Sequence, residues 1–401
     1  MTTCKHKCNE RISLLAEDMT NKINHELVEK TKGLFKDVCD FIKSKKLIIY
    51  GGFAINELLR KKKLKGIYDN SEIKDIDCYS NNAIDVSKEL VNFLIKKGYK
   101  YVEMKQAFLS EDTFKVFAEY VSVCDITSID LDTFNKYSNT SVKYNGFLLQ
   151  SPIMLLKSLT FELSQPKQSY FRWEKLFSRF HIMNNAYGSS EHVKKLQFIK
   201  FSKEQNPKIK EILNEILKYC KQHGIPIIGT VALQLHMHSK ISLGQYNTKM
   251  SYIHILDSSP IGIIEMCKNK YGCKIIKQGD IIEILYKDVY ILDIFVSENT
   301  CTSICNIAGY KVVTLFGIMY FLYHELFANI GMYVDDIKHM LYLTQKCMKT
   351  KNCKNNCLIG LECYGTFDNT VINIMKSRWN KRIIRYRPNS QNRRQNIKSI
   401  L

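Results

Sequence analysis

Hydrophobic residues near the start of the chain recur at steps of three and four, the period of an amphipathic helix. These positions are Ile12, Leu15, Met19, Ile23, Leu27, Leu34, Val38 and Phe41. They predict one or two helices before residue 45. The short β-branched run 47–50 then ends in Gly51-Gly52, and the helix-forming run 53–59 follows. This order predicts a strand, a tight glycine turn and a helix.

Alternating polar and apolar residues predict the next strands. Residues 73–79 alternate as a half-buried strand does, and two further strands are predicted over 113–118 and 120–126. A helix is predicted over 84–97 between them. Ser151-Pro152 then opens a helix to residue 163, with proline in the first turn. A second helix, basic and aromatic, is predicted over 170–183.

The same order of elements recurs in the second half of the chain. An amphipathic helix over 208–221 precedes the apolar run 225–228, which ends in Gly229-Thr230 before another helix begins. Strands are predicted over 251–256 and 289–294, and a helix pair over 315–327 and 334–343. The recurrence predicts a diverged duplication of a roughly 150-residue α/β module, too long a period for a solenoid.

The chain of 401 residues is strongly basic, with 59 Lys and Arg against 39 Asp and Glu, a net charge of +20. Such a charge favours a polyanionic partner, because each phosphate that is neutralised releases counterions. A basic surface kept for solubility is the alternative. Disorder is excluded, since 45% of the residues are hydrophobic, and a fibrous or collagen-like structure is excluded, since the chain has only 18 Gly and 6 Pro residues.

The last part of the chain, residues 371–401, contains nine Lys or Arg residues and no acidic residue. This composition predicts an extended or disordered arm that contacts nucleic acid. The candidate RNA-binding residues are Arg378, Lys381, Arg382, Arg385 and Arg387. A solvated terminus without a partner, or a tail docked through Ile383, Ile384 and Tyr386, remains open.

Apolar runs and cysteines bear on the environment of the protein. The longest apolar run, 312–323, is too short to span a membrane and predicts a buried helix. No apolar segment typical of a secretory signal follows the first residues, so we expect an intracellular protein whose 14 cysteines are reduced. Cys347, Cys353, Cys357 and Cys363 do not have a common zinc-binding spacing, and reduced structural thiols are the favoured interpretation.

Three aspartates are the candidate catalytic residues. Asp75 and Asp77 lie two apart on a predicted strand, so both side chains leave the same face. Asp125, an acid in an otherwise apolar strand, is the candidate third ligand. Such carboxylates can hold two Mg²⁺ or Mn²⁺ ions ~3.5–4 Å apart for phosphoryl transfer. Gly51 and Gly52 at a helix start would let backbone N–H groups approach a triphosphate.

Each of these features alone is common. An Asp-x-Asp pair is usually a solvated strand edge or turn, and a Gly-Gly turn is equally unspecific. The ordered set is rarer, because a glycine turn, an acidic pair and a third acid follow one another on the predicted strands. We therefore interpret the set as a functional site.

The chain resembles the nucleotidyltransferase superfamily of the DNA polymerase β type, and within it the polyadenylate polymerases of large cytoplasmic DNA viruses. The residues that carry the resemblance are Tyr50-Gly51-Gly52-Phe53-Ala54, Asp75-Ile76-Asp77-Cys78-Tyr79-Ser80, Cys124-Asp125-Ile126 and the helix pair with Arg172, Trp173 and Lys175. The resemblance implies a duplicated nucleotidyltransferase fold with flanking helices. It implies a degenerate second copy, in which Tyr252 and His254 replace the acidic pair while Asp293 remains.

These likenesses imply the domain bounds and the activity as well. We expect a helical lead-in over 1–45, a catalytic domain over 46–190, a degenerate domain over 191–370 and the basic tail over 371–401. The expected reaction adds AMP from ATP to an RNA 3′ end, with Lys157 as a further phosphate contact. The family implies a homodimer in the host cytoplasm, at the viral factory or packaged in the virion. A CCA- or uridine-adding enzyme, or a non-catalytic RNA-binding scaffold, stays open.

Overall fold

The computed structural model describes residues 2–68, 75–189, 198–200, 207–241, 244–246, 253–296, 301–328, 334–349, 358–365, 371–379 and 381–388. The chain divides into two compact units. The first unit comprises Met1–Leu155 with Met375–Leu401, and the second comprises Leu156–Ile374.

The first unit combines one mixed sheet with helices. Its helices are α1 (Thr2–Lys45), α2 (Gly51–Lys61), α3 (Ala83–Lys96) and α4 (Leu131–Thr140). Its strands before residue 150 are β1 (Ile48–Tyr50), β2 (Ile76–Ser80), β3 (Glu103–Gln106), β4 (Thr113–Ala118), β5 (Val121–Ser128), β6 (Val142–Tyr144) and β7 (Phe147–Leu149). The helices α5 (Pro152–Leu163), α6 (Pro166–Ser169) and α7 (Trp173–Tyr187) follow, with a 3₁₀ turn over Tyr170–Arg172. From Leu156 onward these helices belong to the second unit.

The second unit repeats this plan. Its strands are β8 (Phe198–Lys200), β9 (Ile227–Ile228), β10 (Gly244–Tyr246), β11 (Ile253–Leu256), β12 (Lys274–Gln278), β13 (Ile281–Tyr286), β14 (Val289–Phe295), β15 (Thr302–Ile307), β16 (Tyr310–Val313) and β17 (Glu362–Tyr364). Its helices are α8 (Pro207–His223), α9 (Gly229–His238), α10 (Ile261–Glu265), α11 (Leu315–Ala328) and α12 (Val334–Lys349), with a π-helical turn over Met266–Lys270. The final elements of the chain are α13 (Val371–Trp379) and β18 (Arg385–Tyr386).

Seven strands follow the same order in the two large sheets, which confirms the predicted duplication, and the eighth strand lies at opposite edges, as β18 beside β3 and as β17 beside β15. Over the described residues the first sheet runs β18-β3-β4-β5-β2-β1-β7-β6 and the second runs β12-β13-β14-β11-β9-β16-β15-β17. In the first sheet β1 pairs antiparallel with β2, and β2 pairs parallel with β5. In the second sheet β9 pairs antiparallel with β11, and β11 pairs parallel with β14. A small sheet of β8 and β10 lies apart.

One face of the first sheet is apolar and packs under helices. Cys78, Val116, Cys124 and Ile126 are fully buried, and α3 packs on β4 and β5. The second half of α1 is buried at Leu34, Val38, Phe41 and Ile42, whereas its first half exposes large apolar side chains. The predicted helical lead-in is thus one long helix. Burial of alternate strand residues leaves the opposite sheet face for polar side chains.

Helices α5, α7 and α11 form the aromatic core of the second unit. Phe161 lies 5.0 Å from Tyr320 and Phe180 lies 5.1 Å from the fully buried Phe316, measured between ring centroids. Aromatic pairs at this separation add to the free energy gained by burial. This packing explains why residues 156–189, which the sequence groups with the catalytic domain, pack in the second unit.

The structure corrects the prediction that all cysteines are reduced. Cys301 and Cys363 form a disulfide with their Cα atoms 5.0 Å apart. The antiparallel pairing of β15 with β17 brings the two residues together, since Ser303 lies opposite Cys363. Cys363, one of the four cysteines considered for zinc binding, is therefore bonded to Cys301. Cys353 and Cys357, two of the others, lie outside the described residues.

The tail also differs from the predicted extended arm where it is described. It forms helix α13 and then strand β18, which pairs antiparallel with β3 at the edge of the first sheet. Arg385 and Arg387 contact Glu103, and Lys381 contacts Glu111 at 2.9 Å. No helix in the described part of the chain is both long and apolar enough to cross a bilayer.

Candidate active site

Three carboxylates converge at the middle of the first sheet. Asp77 on β2 lies directly opposite Asp125 on the parallel strand β5, and Asp75 comes one residue before β2 begins. One carboxylate oxygen from each residue lies within 4.8 Å of those of the other two. Among the described residues, no other group of three or more Asp, Glu, His or Cys side chains lies within this distance. The predicted acidic set is thus assembled.

Alternation along the strands directs these side chains. Ile76 and Cys78 flank Asp77 and are fully buried, as are Cys124 and Ile126 on either side of Asp125. A one-residue slip of either strand would turn its acid into the apolar layer and expose two apolar residues. The hydrophobic core therefore fixes the direction of the carboxylates.

The glycine turn lies against Asp77. Gly51 has φ +67°, a left-handed conformation that disfavours residues with a Cβ, and it begins α2 directly after β1. A Cβ at Gly51 would collide with the Asp77 carboxylate. Glycine therefore permits both the turn and the close approach of the helix start to the acid. The first N–H groups of α2 have no partner within the helix and favour an anion.

The donor set fits a hard divalent cation. Three carboxylates supply oxygen ligands, which Mg²⁺ and Mn²⁺ prefer. Asp125 is 6% exposed, and an ionised group so buried needs a compensating positive charge. The close-packed acids and the Gly51 cradle beside Asp77 suit a metal that also binds a triphosphate.

Lys115 on β4, which is not among the predicted site residues, supplies one such charge. It lies directly opposite Asp125, and its Nζ contacts Asp125 Oδ2. Burial favours the neutral amine, but the hydrogen bond and charge of Asp125, with Asp75 and Asp77 further away, raise the pKa of Lys115. The alternation over 113–118 places Lys115 on the polar face, but only the register between β4 and β5 shows which acid it meets.

Hydroxyl groups continue the polar face next to the acids. The Tyr50 hydroxyl lies 2.8 Å from Thr127 Oγ1, which lies 2.9 Å from Thr113 Oγ1. The rings of Tyr50 and Tyr79 are stacked 4.0 Å apart between centroids. Burial and the charge of Asp77 raise the pKa of Tyr50 and keep it a neutral hydroxyl. These contacts brace β1, β2, β4 and β5 around the carboxylates.

The second unit keeps the geometry of the site but changes its chemistry. Gly229 also has φ +67° and begins α9, and a Cβ there would crowd His254. His254 lies opposite Asp293, as Asp77 lies opposite Asp125, and its Nε2 is 3.2 Å from Asp293 Oδ2. Tyr252 lies outside the described residues. His254 thus occupies the position of Asp77, and it contacts Asp293, which occupies the position of Asp125.

The other predicted site residues lie elsewhere in the fold. Lys157 lies on α5 in the second unit, with its Nζ 5.7 Å from the centre of the Phe327 ring. Arg378 on α13 is 3% exposed, and its Nη1 is 3.8 Å from Glu111 Oε1. Lys381, Arg385 and Arg387 are exposed but contact Glu111 or Glu103, and Arg382 is exposed.

Comparison with known proteins confirms the resemblance drawn from the sequence. Residues 36–169 match the family model of the poly(A) polymerase catalytic subunit. A protein of Acanthamoeba polyphaga mimivirus, assigned as a poly(A) polymerase catalytic subunit, is 29% identical over 204 residues, which cover 50% of this chain and 34% of the relative. A protein of African swine fever virus with the same assignment is 29% identical over 157 residues, 37% of this chain and 32% of the relative.

The fold has a solved counterpart. The Megavirus polyadenylate synthase superposes with a TM-score of 0.71 over 96% of this chain and 86% of that chain, at 19% identity. The chain therefore shares the fold of that synthase, and its two large sheets repeat one order of seven strands. Residues 36–155 of the region that matches poly(A) polymerase catalytic subunits lie in the first unit, and residues 156–169 lie in the second. The chain spans about a third of the length of the curated relatives that it matches.

Proposed function

We propose that the protein is a template-independent polyadenylate polymerase. It would transfer AMP from ATP to the 3′ end of RNA and release pyrophosphate, forming the poly(A) tails of viral mRNA. The convergence of Asp75, Asp77 and Asp125 beside the Gly51 turn carries this proposal. The match of residues 36–169 to poly(A) polymerase catalytic subunits supports the choice of reaction.

The residues of the first unit suit the steps of this reaction. Asp75, Asp77 and Asp125 would hold two Mg²⁺ or Mn²⁺ ions, which supply charge neutralisation and make the attacking hydroxyl more acidic. Gly51 and Gly52 would donate backbone N–H groups to the β- and γ-phosphates. The 3′ oxygen forms a bond to the α-phosphorus as the bond to the pyrophosphate oxygen breaks. Asp125 is the candidate to accept the proton of the 3′ hydroxyl.

Substrate and partner contacts outside the acids are proposals of the same kind. The net charge of +20 supports RNA binding through phosphate contacts, to which the tail cations would contribute. Lys157 is proposed as a further contact to the phosphates of the nucleotide. A homodimer is proposed as well, and the exposed apolar residues Ile12, Leu15 and Met19 on α1 support it. The proposed location is the host cytoplasm, at the viral factory or within the virion.

Nucleotide addition to labelled RNA tests the function directly. The protein is incubated with an end-labelled oligonucleotide, Mg²⁺ or Mn²⁺ and each nucleoside triphosphate in turn. We expect extension with ATP in a long ladder. Addition of a few uridines or of CCA would identify another RNA nucleotidyltransferase, and binding without extension would identify a scaffold.

Equivalent aspartates in the two units provide a matched pair of variants. Asp125→Asn should abolish extension while RNA binding persists, because a carboxylate oxygen is lost from the metal site. Asp293→Asn, at the same position of the second sheet, should keep the rate within a few-fold. Loss of extension in folded Asp293→Asn would contradict the view that the second unit is catalytically silent.

A further inference from the structure

Lys115 stands in a row of paired residues that crosses the first sheet. Tyr50 faces Asp77, Asp77 faces Asp125, and Asp125 faces Lys115, each on a neighbouring strand. Lys105 on β3 continues the row beyond Lys115. Residues paired directly in this way project from the same sheet face. The acidic cluster therefore ends on an ammonium group one strand away.

The position of Lys115 allows it to leave the acid. Its side chain is 37% exposed, whereas that of Asp125 is 9% exposed. A lysine ammonium on a flexible four-carbon stem can turn toward solvent at small cost, while Asp125 is fixed by the strand. The two partners are thus unequal, since Asp125 stays in place and Lys115 can move.

The second unit shows what happens where the acidic pair is lost. Glu283 on β13 lies opposite Asp293, at the position that Lys115 holds opposite Asp125. The nitrogen partner of Asp293 is instead His254 on β11, at 3.2 Å. Each unit therefore supplies a nitrogen group to its third aspartate. This group is a lysine in the unit that keeps the carboxylate cluster and a histidine in the other unit.

We propose that Lys115 is an internal counterion of the carboxylate cluster, which holds Asp125 when no divalent ion is bound and gives way when an ion binds. The ammonium contacts Oδ2 of Asp125, one of the two carboxylate oxygens that this residue can offer to a metal ion. A divalent ion bound to this carboxylate is repelled by the ammonium at such short range. Lys115 thus sets the metal affinity of the site and is a positioning residue. The inference rests on the proposed metal site.

Metal binding without nucleotide or RNA tests this role. The full-length protein is titrated with Mn²⁺, and free Mn²⁺ is followed by electron paramagnetic resonance. Lys115→Met keeps the length of the side chain and removes its charge, so the Mn²⁺ dissociation constant should fall about tenfold. Lys115→Arg, which keeps the charge, should bind Mn²⁺ with nearly wild-type affinity.

Lys105→Met is the matched control, because it removes the same charge from the residue paired with Lys115. It should change the dissociation constant much less than Lys115→Met does. Thermal unfolding without metal is the second measurement. Lys115→Met should unfold at a lower temperature than wild type, because its three acids lack their counterion, and Mn²⁺ should raise that temperature more than it does for wild type.

The outcomes separate the two proposals. Equal or weaker Mn²⁺ binding by folded Lys115→Met would overturn the counterion role, and so would an equal gain in Lys105→Met. If Lys115→Met does not fold, Lys115→Gln is titrated with Mn²⁺ in its place. Tighter Mn²⁺ binding than wild type would then support the counterion role, and wild-type affinity would overturn it. Failure of wild type and every variant to bind Mn²⁺ would instead contradict the proposed metal site itself.

Discussion

Gly51 and Gly229 show how one residue can serve two purposes in the same fold. Both have φ +67° at the start of a helix, and both leave room for a side chain on the neighbouring strand. In the first unit that side chain is the Asp77 carboxylate, and in the second it is the His254 ring. The glycine makes room for the neighbouring side chain in both units, and the proposed chemistry depends on it only in the first unit.

Alanine at each glycine separates these roles. Gly51→Ala and Gly229→Ala should each lower the free energy of unfolding by about 1–2 kcal/mol, because alanine is strained at positive φ. Nucleotide addition should fall more than tenfold in Gly51→Ala only, because its Cβ displaces Asp77. Urea unfolding and RNA extension measure the two effects. Equal loss of activity in both variants would show that the effect reflects stability alone.

Single residues differ in how far the sequence reveals their place. Asp75, Asp77 and Asp125 lie together, and Gly51 lies against Asp77, as expected from the spacing along the strands, which fixes the face from which a side chain projects. The catalytic role of these residues stays a prediction. Lys115 escaped prediction since its contact depends on the register between β4 and β5, which no local pattern encodes. The His254 contact with Asp293 escaped for the same reason.

At the scale of elements, a buried histidine joins α9 to β16. His236 Nε2 lies 2.9 Å from the Val313 carbonyl oxygen, to which it donates a hydrogen bond, and burial lowers the pKa of His236. In the unfolded chain its pKa returns to about 6.5. Below that pH the unfolded state takes up a proton that the folded state resists, so acid favours unfolding.

Replacement of this histidine should flatten the pH dependence of stability. His236→Gln keeps a side-chain donor that does not titrate, so its free energy of unfolding should fall less than that of wild type between pH 7 and pH 5. Linkage limits the difference to about 1.4 kcal/mol per pH unit. Urea unfolding at both pH values measures it, with His223→Gln at the exposed end of α8 as control. An identical slope in His236→Gln and wild type would refute the assignment.

Elements were predictable in proportion to their length and periodicity. The strand over 113–118 and the helices α3, α5, α8 and α11 were placed within a few residues. The strand, α3 and α8 carry a clear apolar face, whereas α5 and α11 are predominantly apolar. Short strands at or next to the sheet edges, such as β3, β6 and β18, carry two to four residues and no usable period. Their positions depend on pairing with distant strands.

At the scale of the whole molecule, the charge of +20 should make RNA binding strongly dependent on salt. Deleting residues 389–401 removes three cations and leaves the docked strand β18 in place. The slope of log affinity against log salt should become shallower by up to ~0.7 for each RNA phosphate that the deleted cations neutralise, with no change in unfolding temperature. Binding measured at several salt concentrations gives the slope.

Deleting residues 381–401 is the companion variant. It also removes β18, so the edge of β3 is left without its partner strand and Glu103 without the arginines that neutralise it. We expect a lower unfolding temperature in addition to the shallower slope. A salt slope unchanged in both deletions would refute the RNA-binding role of the tail and leave docking as its function.

The pairing of β18 with β3 has a consequence for the order in which the protein is made. Arg385 and Glu103 lie 282 positions apart, and a ribosome adding about 5–20 residues per second needs roughly 15–55 s to cover that distance. The strands of the second unit emerge within this interval. During this interval the backbone hydrogen-bonding groups of β3 that later pair with β18 are unpaired in the nascent first sheet, and another strand could pair with them. The first sheet, begun first, is therefore completed last.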